Sequence, residues 1–306
     1  MMTAYILAIF AIFCWSFNVI AASVLVDELT PWQIAGLRWM IHSFIIFPFV
    51  FNLLKKYWHI IIRHKSWLIW TAFWGITISN TCVYYAAYTV RPVTLSLIGA
   101  TGPLFLILFS WLIKKTRLFK NQIYGLIITL IGVILIVMKG RSSHIGLGLE
   151  AGDLWMLGTA ITFGYYSFLV ANKPKELPHL PLLACCLILG AAFCLPMFVW
   201  DTIYNPLNLQ TNFRPEIIWI VLGLGVFNSL IAYLCWNYSM DKGDSVKIGM
   251  TYYLMPVFST LESWLILDEG IHLIHLIGAT IIFIGIFYSN KKPKSVLLQQ
   301  NRRANP

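Results

Sequence analysis

The feature that most constrains this chain is a series of continuously apolar runs, each about 20 residues long. A run of this length crosses the hydrocarbon core of a bilayer as a helix, because a helix satisfies every backbone hydrogen bond within itself. Ten such runs follow one another, at about 3–22, 31–54, 67–88, 93–113, 122–138, 152–171, 181–200, 217–239, 246–267 and 271–289. The sequence therefore predicts an all-α integral membrane protein with ten transmembrane helices, called spans one to ten below.

The composition excludes the other protein classes. Apolar residues make up 59% of the chain and charged residues 11%, whereas soluble domains average about 25% charged residues. A β-barrel would show alternating segments of about 10 residues instead of continuous runs. The loops are too short to hold a basic soluble domain, so nucleic acid is not an expected partner. The six cysteines all lie within apolar spans and are interpreted as packing residues.

The second half of the chain repeats the pattern of the first. Pro103 begins a stretch that ends in S-W-L-I at 110–113, and Pro256 begins a similar stretch 153 positions later. Gly125 and Gly132 of span five recur in span ten as Gly278 and Gly285, at the same offset. The glycines indicate close helix packing, and the prolines are expected to kink spans four and nine.

Each repeat contains five helices, and this odd number has a topological consequence. The second copy must enter the membrane from the side opposite to the first. Inverted repeats of this kind are typical of transporters, whose substrate site lies near the membrane midplane between the repeats. We therefore predict one repeat at 3–140, a second at 150–290 and a basic cytoplasmic tail at 291–306. A duplicated scaffold without transport activity is the alternative.

The loop charges predict the orientation. Most of the 22 Lys and Arg residues lie in the loops after even-numbered spans and in the C-terminal tail. The loops on the other side hold Arg91, Lys139, Arg141 and Arg214. Because positively charged loops stay in the cytoplasm, we expect a multi-pass protein of the cell (inner) membrane with both termini cytoplasmic.

Two charged residues lie inside apolar spans. Glu262 in span nine is the only one of the 12 Asp and Glu residues so placed, and Arg38 lies in span two. Both are about 9–10 Å from the external end of their span, at a rise of about 1.5 Å per residue. Buried charges are normally paired, so we expect Arg38 and Glu262 to face one cavity and to interact directly or through substrate or water. A static structural pair is the alternative to a functional one.

The chemistry of the two groups suggests separate roles. Arg38 stays protonated at any relevant pH, whereas Glu262 can titrate and so could couple transport to protons. Arg38 could also bind a substrate carboxylate through its planar guanidinium. His42 lies one turn below Arg38 on the same face and is either a proton acceptor, a substrate contact or a packing residue.

Other polar and aromatic residues recur in the spans at helical spacing. Since polar side chains turn away from lipid, we expect them to line the same cavity. Aromatic rings with a polar edge suit amino acids or small organic metabolites. No metal site or cofactor is predicted. The predicted lining residues beyond Arg38, His42 and Glu262 are Trp15, Asn18, Tyr84, Tyr166, Tyr233, Trp236 and Ser259.

Several short motifs, taken in order, resemble the EamA-type members of the drug/metabolite transporter superfamily. They are W-S-F-N at 15–18, L-T-P at 29–31 followed by Arg38, G-D-L at 152–154 and P-V-F at 256–258. The resemblance covers about residues 3–290 and implies a ten-helix transporter, not an enzyme. Two positions depart from the family pattern: Lys114 and Lys115 stand where a Gly-Glu pair is usual, and Glu262 stands where a small or apolar residue is usual.

The sequence therefore favours a secondary active transporter, an exporter or exchanger of small metabolites such as amino acids. No phosphate-binding loop of the G-x-x-x-x-G-K-[ST] type is present, so the energy must come from a gradient, with protons as the first candidate. The alternatives are an uptake permease for an amino-acid derivative, a translocase of lipid head groups or sugar precursors, and a membrane-embedded enzyme.

Overall fold

A computed structural model describes residues 2–115, 120–139, 150–207, 214–242, 251–268 and 273–289. The secondary structure of these residues is helical, and no strand occurs among them. The fold is therefore that of an all-α membrane protein, as predicted. The predicted basic tail at 291–306 lies outside the described residues.

Six spans are single uninterrupted helices, and two of them contain an internal proline, Pro48 in span two and Pro196 in span seven. By length and composition, six helical stretches of the described residues are long and apolar enough to cross a membrane, and these belong to spans one, two, four, six, seven and eight. Spans one, two, five, six, seven and ten are Met2–Leu25, Pro31–Lys56, Lys120–Lys139, Ala151–Ala171, His179–Tyr204 and Leu273–Ser289.

The other four spans are interrupted, and they occupy equivalent places in the two repeats. Spans three and eight each contain a π-helical segment, and spans four and nine each consist of two helical segments, the second of which begins one residue before the proline. Span three comprises Lys65–Ala72, Phe73–Ile78 and Ser79–Ala87, and span four comprises Pro92–Gly99 and Gly102–Lys114. Span eight comprises Pro215–Gly223, Leu224–Ile231 and Ala232–Lys242, and span nine comprises Thr251–Leu254 and Met255–Leu267. A short helix, Trp58–Arg63, precedes span three.

The prolines begin new helices in spans four and nine instead of kinking continuous ones. Pro103 and Pro256 each lie in the first two positions of their helix, where a missing backbone N–H costs nothing. Both helices also end alike, because Lys115 and Asp268 adopt a left-handed conformation with φ of 51°. These two residues are again 153 positions apart, so the repeat seen in the sequence extends to the backbone conformation.

Spans five and ten pack against each other through their glycines. A Cβ atom added to Gly285 would lie 2.7 Å from the carbonyl oxygen of Gly125, and one added to Gly132 would lie 3.1 Å from that of Gly278. Such distances leave no room for a side chain. The close packing predicted from these four glycines is therefore present.

An ion pair joins the two repeats at each end of the bundle. At one end, the Arg214 guanidinium donates to the Glu28 carboxylate, and Thr30 donates to Asp201. At the opposite end, Arg63 Nη1 lies 3.1 Å from Glu176 Oε2. Glu28 and Glu176 both stand three residues before the helix that follows them, so they occupy equivalent positions in the inverted repeats.

Span two is the element that carries a charge into the centre of the bundle. Its start is well defined, because Thr30 and Gln33 form a reciprocal capping box and Pro31 follows the cap. Gln33 N donates to Thr30 Oγ1 at 3.2 Å, and Thr30 N donates to Gln33 Oε1 at 3.1 Å. This local structure sets the register of the helix and so places Arg38 two turns inside it.

Candidate functional site

The guanidinium of Arg38 lies at the centre of the bundle and is held by three different spans. Arg38 is 1% exposed. Its Nε donates to Ser229 Oγ at 2.6 Å in span eight. Its Nη1 donates to Asn18 Oδ1 of span one and to the Tyr84 hydroxyl of span three, both at 2.9 Å. The structure thus brings together three of the residues that the sequence singled out, Arg38, Asn18 and Tyr84.

Two further amides complete the group around Arg38. Asn80 Oδ1 accepts from Nη1 and Asn228 Oδ1 accepts from Nη2, each at 3.3 Å. All five acceptors are neutral, and no ion pair joins Arg38 to a carboxylate of the described residues. The hydrogen bonds therefore reach all three nitrogens of the guanidinium, but they leave its positive charge without a counter-ion.

A cavity of about 60 Å³ adjoins Arg38. Four of the predicted residues line it, Trp15, Asn18, Arg38 and Tyr233, and these come from spans one, two and eight. Residues from both halves of the chain line the cavity. Lining residues outside the predicted set include Asn80, Met156, Thr159, Phe163, Asn228 and Tyr252.

Aromatic rings form much of the cavity wall. The rings of Phe163 and Tyr252 are stacked, with centroids 5.5 Å apart and planes 20° apart. On another side, Trp15 packs edge-on against Tyr233 at 5.1 Å and lies 5.4 Å from Trp236. Trp236 contacts the ring of Trp15 but does not itself line the cavity. The site thus combines one buried positive charge with several apolar faces.

Glu262 lies in a different place from Arg38. It is 6% exposed, and its Oε1 accepts a hydrogen bond from Ser16 Oγ of span one at 2.9 Å. Its Oε2 has no hydrogen-bond partner. Glu262 does not line the cavity at Arg38, and the direct ion pair considered from the sequence is not formed. Asn18 contacts Arg38 and Ser16 contacts Glu262. These two contact residues are two positions apart on span one.

His42 is buried below Arg38 without reaching the cavity. Its ring is 0% exposed, and neither ring nitrogen has a hydrogen-bond partner. The ring packs edge-on against Trp39 at 5.9 Å. This environment supports the packing interpretation of His42 more than a substrate contact.

Two other predicted residues are buried away from the cavity. Tyr166 packs on the backbone of Gly75, where a Cβ atom would lie 2.0 Å from its ring. Ser259 Oγ donates to Ser96 Oγ at 2.6 Å and so joins span nine to span four. Both side chains connect helices and lie outside the cavity lining.

The sequence contained a signal for some of the residues that were missed. Asn80, Asn228 and Ser229 belong to polar stripes of spans three and eight, and only their contact with Arg38 distinguishes them from helix-packing residues. Tyr252 lies on the same stripe as Glu262. Phe163 offered no signal, because an apolar ring in a transmembrane helix is ordinary.

The comparisons with known proteins agree with this architecture. The model of the EamA-like transporter family matches residues 2–138 and 150–291. The chain belongs to this family. Membership makes it a membrane transporter and not an enzyme, and its environment is a lipid bilayer.

Relatives of this EamA-like transporter resemble it over most of their length. An uncharacterised transporter of Archaeoglobus fulgidus is 24% identical over 91% of this chain and 94% of its own length. The uncharacterised transporter YvbV of Bacillus subtilis is 24% identical over 96% of this chain and 93% of its own length. A solved crystal structure with 19% identity covers 100% of this chain with a TM-score of 0.64, which shows that the fold is shared.

Proposed function

We propose that this EamA-like protein is a secondary active transporter that exports or exchanges small carboxylate-bearing metabolites, such as amino acids or related compounds. In this proposal it lies in the cell (inner) membrane with both termini in the cytoplasm. The observation that carries the proposal is the buried charge of Arg38, which borders the cavity and is held by neutral side chains alone.

A buried charge without a counter-ion is costly, and a ligand carboxylate would supply the missing charge. Of the two hydrogens on Arg38 Nη2, one has Asn228 Oδ1 as its acceptor at 3.3 Å. The other has no acceptor among the described residues and is available to a ligand. Charge-assisted hydrogen bonds of this kind are short and strong. They would also discriminate against the uncharged amide of the same metabolite.

The aromatic walls support a ligand that has an apolar part beside its carboxylate. Phe163, Tyr252 and Trp15 present ring faces or edges to the cavity. A cavity of about 60 Å³ is smaller than an amino acid, so these rings must move apart to admit one. Interruptions in spans three, four, eight and nine supply helix breaks at which such movement can occur.

Proton coupling through Glu262 is the second part of the proposal. The carboxylate is buried, lacks a cationic partner among the described residues and has one hydrogen bond, from Ser16. Burial disfavours the ionised form, so Glu262 can take up a proton from one side of the membrane and release it to the other. The separation of Glu262 from the cavity means that proton and substrate would bind at different places.

Binding of matched ligand pairs tests the substrate class. Thermal melting of the purified protein is measured with each common amino acid that has an uncharged side chain and with its carboxamide, which has the same side chain and no carboxylate. We expect stabilisation by one or more acids and none by the matching amides. Arg38→Gln should abolish the difference, while Arg91→Gln, which removes an exposed arginine, should retain it. Stabilisation by both members of a pair would contradict the role of Arg38.

A comparison of metabolites inside and outside cells, with and without the gene, identifies the natural substrate and the direction of transport. Accumulation outside cells that carry the gene supports export, and depletion outside supports an uptake permease. A change confined to compounds without an anionic group would contradict the proposal.

An apolar groove favours a second candidate, a translocase of amphipathic substrates such as lipid head groups. It has a volume of about 380 Å³ and lies between spans two and seven, lined by Phe44, Phe47, Pro48 and Ile188 among others. The groove and the cavity at Arg38 share no lining residue, so the charge and the groove do not form one amphipathic site. This separation favours the small-metabolite proposal.

A further inference from the structure

Ser16 occupies an unusual position between two hydrogen-bond acceptors. Its side chain is 0% exposed, and its Oγ lies 2.7 Å from the carbonyl oxygen of Phe13 and 2.9 Å from Glu262 Oε1. A serine hydroxyl carries a single hydrogen. The hydroxyl can therefore donate to the backbone of span one or to the carboxylate of span nine, but not fully to both.

We infer that Ser16 is a positioning residue for proton coupling: its hydroxyl stabilises the ionised carboxylate of Glu262 and changes its acceptor when that carboxylate takes up a proton. With Glu262 ionised, the hydrogen of Ser16 points to Oε1, because a charged acceptor outcompetes a neutral carbonyl. When a hydronium ion transfers a proton to the carboxylate, one O–H bond of the hydronium breaks, one O–H bond forms on the carboxylate, and water is left. Ser16 Oγ then accepts from the acid and turns its own hydrogen to Phe13 O.

The same stretch of span one also holds the group around Arg38. Asn18 Oδ1 accepts from Arg38 Nη1 at 2.9 Å, and Trp15 Nε1 donates to the carbonyl oxygen of Asn228 at 3.1 Å. Asn228 Nδ2 donates back to the carbonyl oxygen of Cys14. A change of acceptor at Ser16 therefore occurs within one turn of residues that contact Arg38, which provides a physical connection between the two charges.

Among the described residues, few other titratable groups lie on the elements that pack against span nine. Span nine packs against span one and against Pro92–Gly99 of span four, and its helix continues from the turn Thr251–Leu254. Span one contributes the thiol of Cys14, the turn contributes Tyr252 and Tyr253, and the packed part of span four has no titratable side chain. Ser16 is thus the group that supplies a hydrogen bond to Glu262 among the described residues.

Infrared spectroscopy of the purified protein in phosphatidylcholine vesicles tests this inference without a known substrate. The carbonyl band of the protonated Glu262 side chain is identified by its loss in Glu262→Gln, and its intensity is followed as a function of pH. In Ser16→Ala we expect the band to persist to higher pH, with its midpoint raised by about one pH unit or more, because a hydrogen bond to the charged form is lost.

Ser263→Ala is the matched control. Ser263 follows Glu262, is 1% exposed, and its Oγ has no hydrogen-bond partner, so its loss should leave the midpoint unchanged. Ser16→Thr keeps the hydroxyl and should show the same midpoint as the natural protein. If Ser16→Ala does not insert into the membrane, Ser16→Cys retains nearly the same shape with a weaker donor and should raise the midpoint by a smaller amount.

The inference rests on the proposed proton coupling, and the two can fail separately. Superimposable titrations of the natural protein and Ser16→Ala would overturn the role of Ser16 and leave coupling through Glu262 intact. A shifted titration together with normal pH dependence of transport in Glu262→Gln would contradict the proposed coupling. A Glu262 band that persists over the whole pH range in every variant would overturn both.

Discussion

At the scale of single residues, the two intramembrane charges are stabilised in different ways. Arg38 has five neutral acceptors, whereas Glu262 has one donor, Ser16. Arg38 thus has hydrogen-bond acceptors at all three guanidinium nitrogens, with one hydrogen of Nη2 left over, while Glu262 has a single hydrogen-bond donor. At Arg38, neutral dipoles supply hydrogen bonds to the buried charge, but no carboxylate of the described residues supplies the opposite charge.

A charge swap is the first prediction at this scale. Arg38→Glu should destabilise the protein by more than about 3 kcal/mol, because an unpaired carboxylate would face acceptor oxygens. Adding Glu262→Arg should not restore stability, since the two side chains do not contact each other. Thermal melting of the single and double variants measures this, and recovery of the natural melting temperature in the double variant would contradict the geometry.

Neutralisation of the acid is the second prediction. Glu262→Gln keeps the shape of the side chain and can still accept from Ser16, so insertion and melting temperature should change little. Transport of the substrate found in the metabolite comparison should lose its dependence on a pH gradient in proteoliposomes. Gradient-driven accumulation at the natural rate in this variant would rule out coupling through Glu262.

At the scale of helices, close contacts between glycine and backbone set the packing. Gly285 of span ten and Gly164 of span six each lie where a Cβ atom would approach backbone atoms at 2.7–2.8 Å. Gly223 of span eight, in contrast, has nothing within 4 Å of its added Cβ. Glycine is therefore required at some helical positions and tolerated at others.

Gly285→Ala should destabilise the protein by about 1–3 kcal/mol, because the neighbouring backbone of span five cannot move aside as a flexible side chain would. Gly223→Ala is the matched control and should be neutral or stabilise by up to about 1 kcal/mol through helix propensity. The difference in melting temperature between the variants in detergent measures the effect. Equal melting temperatures would argue against close packing of spans five and ten.

At the scale of the whole molecule, the inverted repeats place equivalent ion pairs at opposite ends. Glu28 pairs with Arg214 at one end, and Glu176 pairs with Arg63 at the other. Exposed ion pairs of this kind contribute about 0–1 kcal/mol, so either can break without a large cost. Alternating access requires the two ends to open in turn.

Cross-linking tests this arrangement. Glu28→Cys with Arg214→Cys, or Arg63→Cys with Glu176→Cys, is treated with a short thiol-reactive cross-linker that contains a cleavable disulfide. Either cross-link should stop transport, because each holds one end shut, and reduction should restore it. The four variants that each carry one added cysteine, treated identically, are the controls. Full transport after complete cross-linking at either end would contradict a gating role for that end.

The sequence by itself determined the membrane class, the number of helices and their internal repeat, because bilayer thickness sets the length of apolar runs and duplication leaves matching residues. It also indicated Arg38 and Glu262, since a charge in an apolar span has few explanations. Only the tertiary structure decided that the two charges occupy separate sites, that Asn80 and Asn228 hold Arg38, and that Ser16 holds Glu262. Those contacts depend on the rotation of each helix about its axis. Packing between helices sets this rotation, and residue spacing along the chain does not specify it.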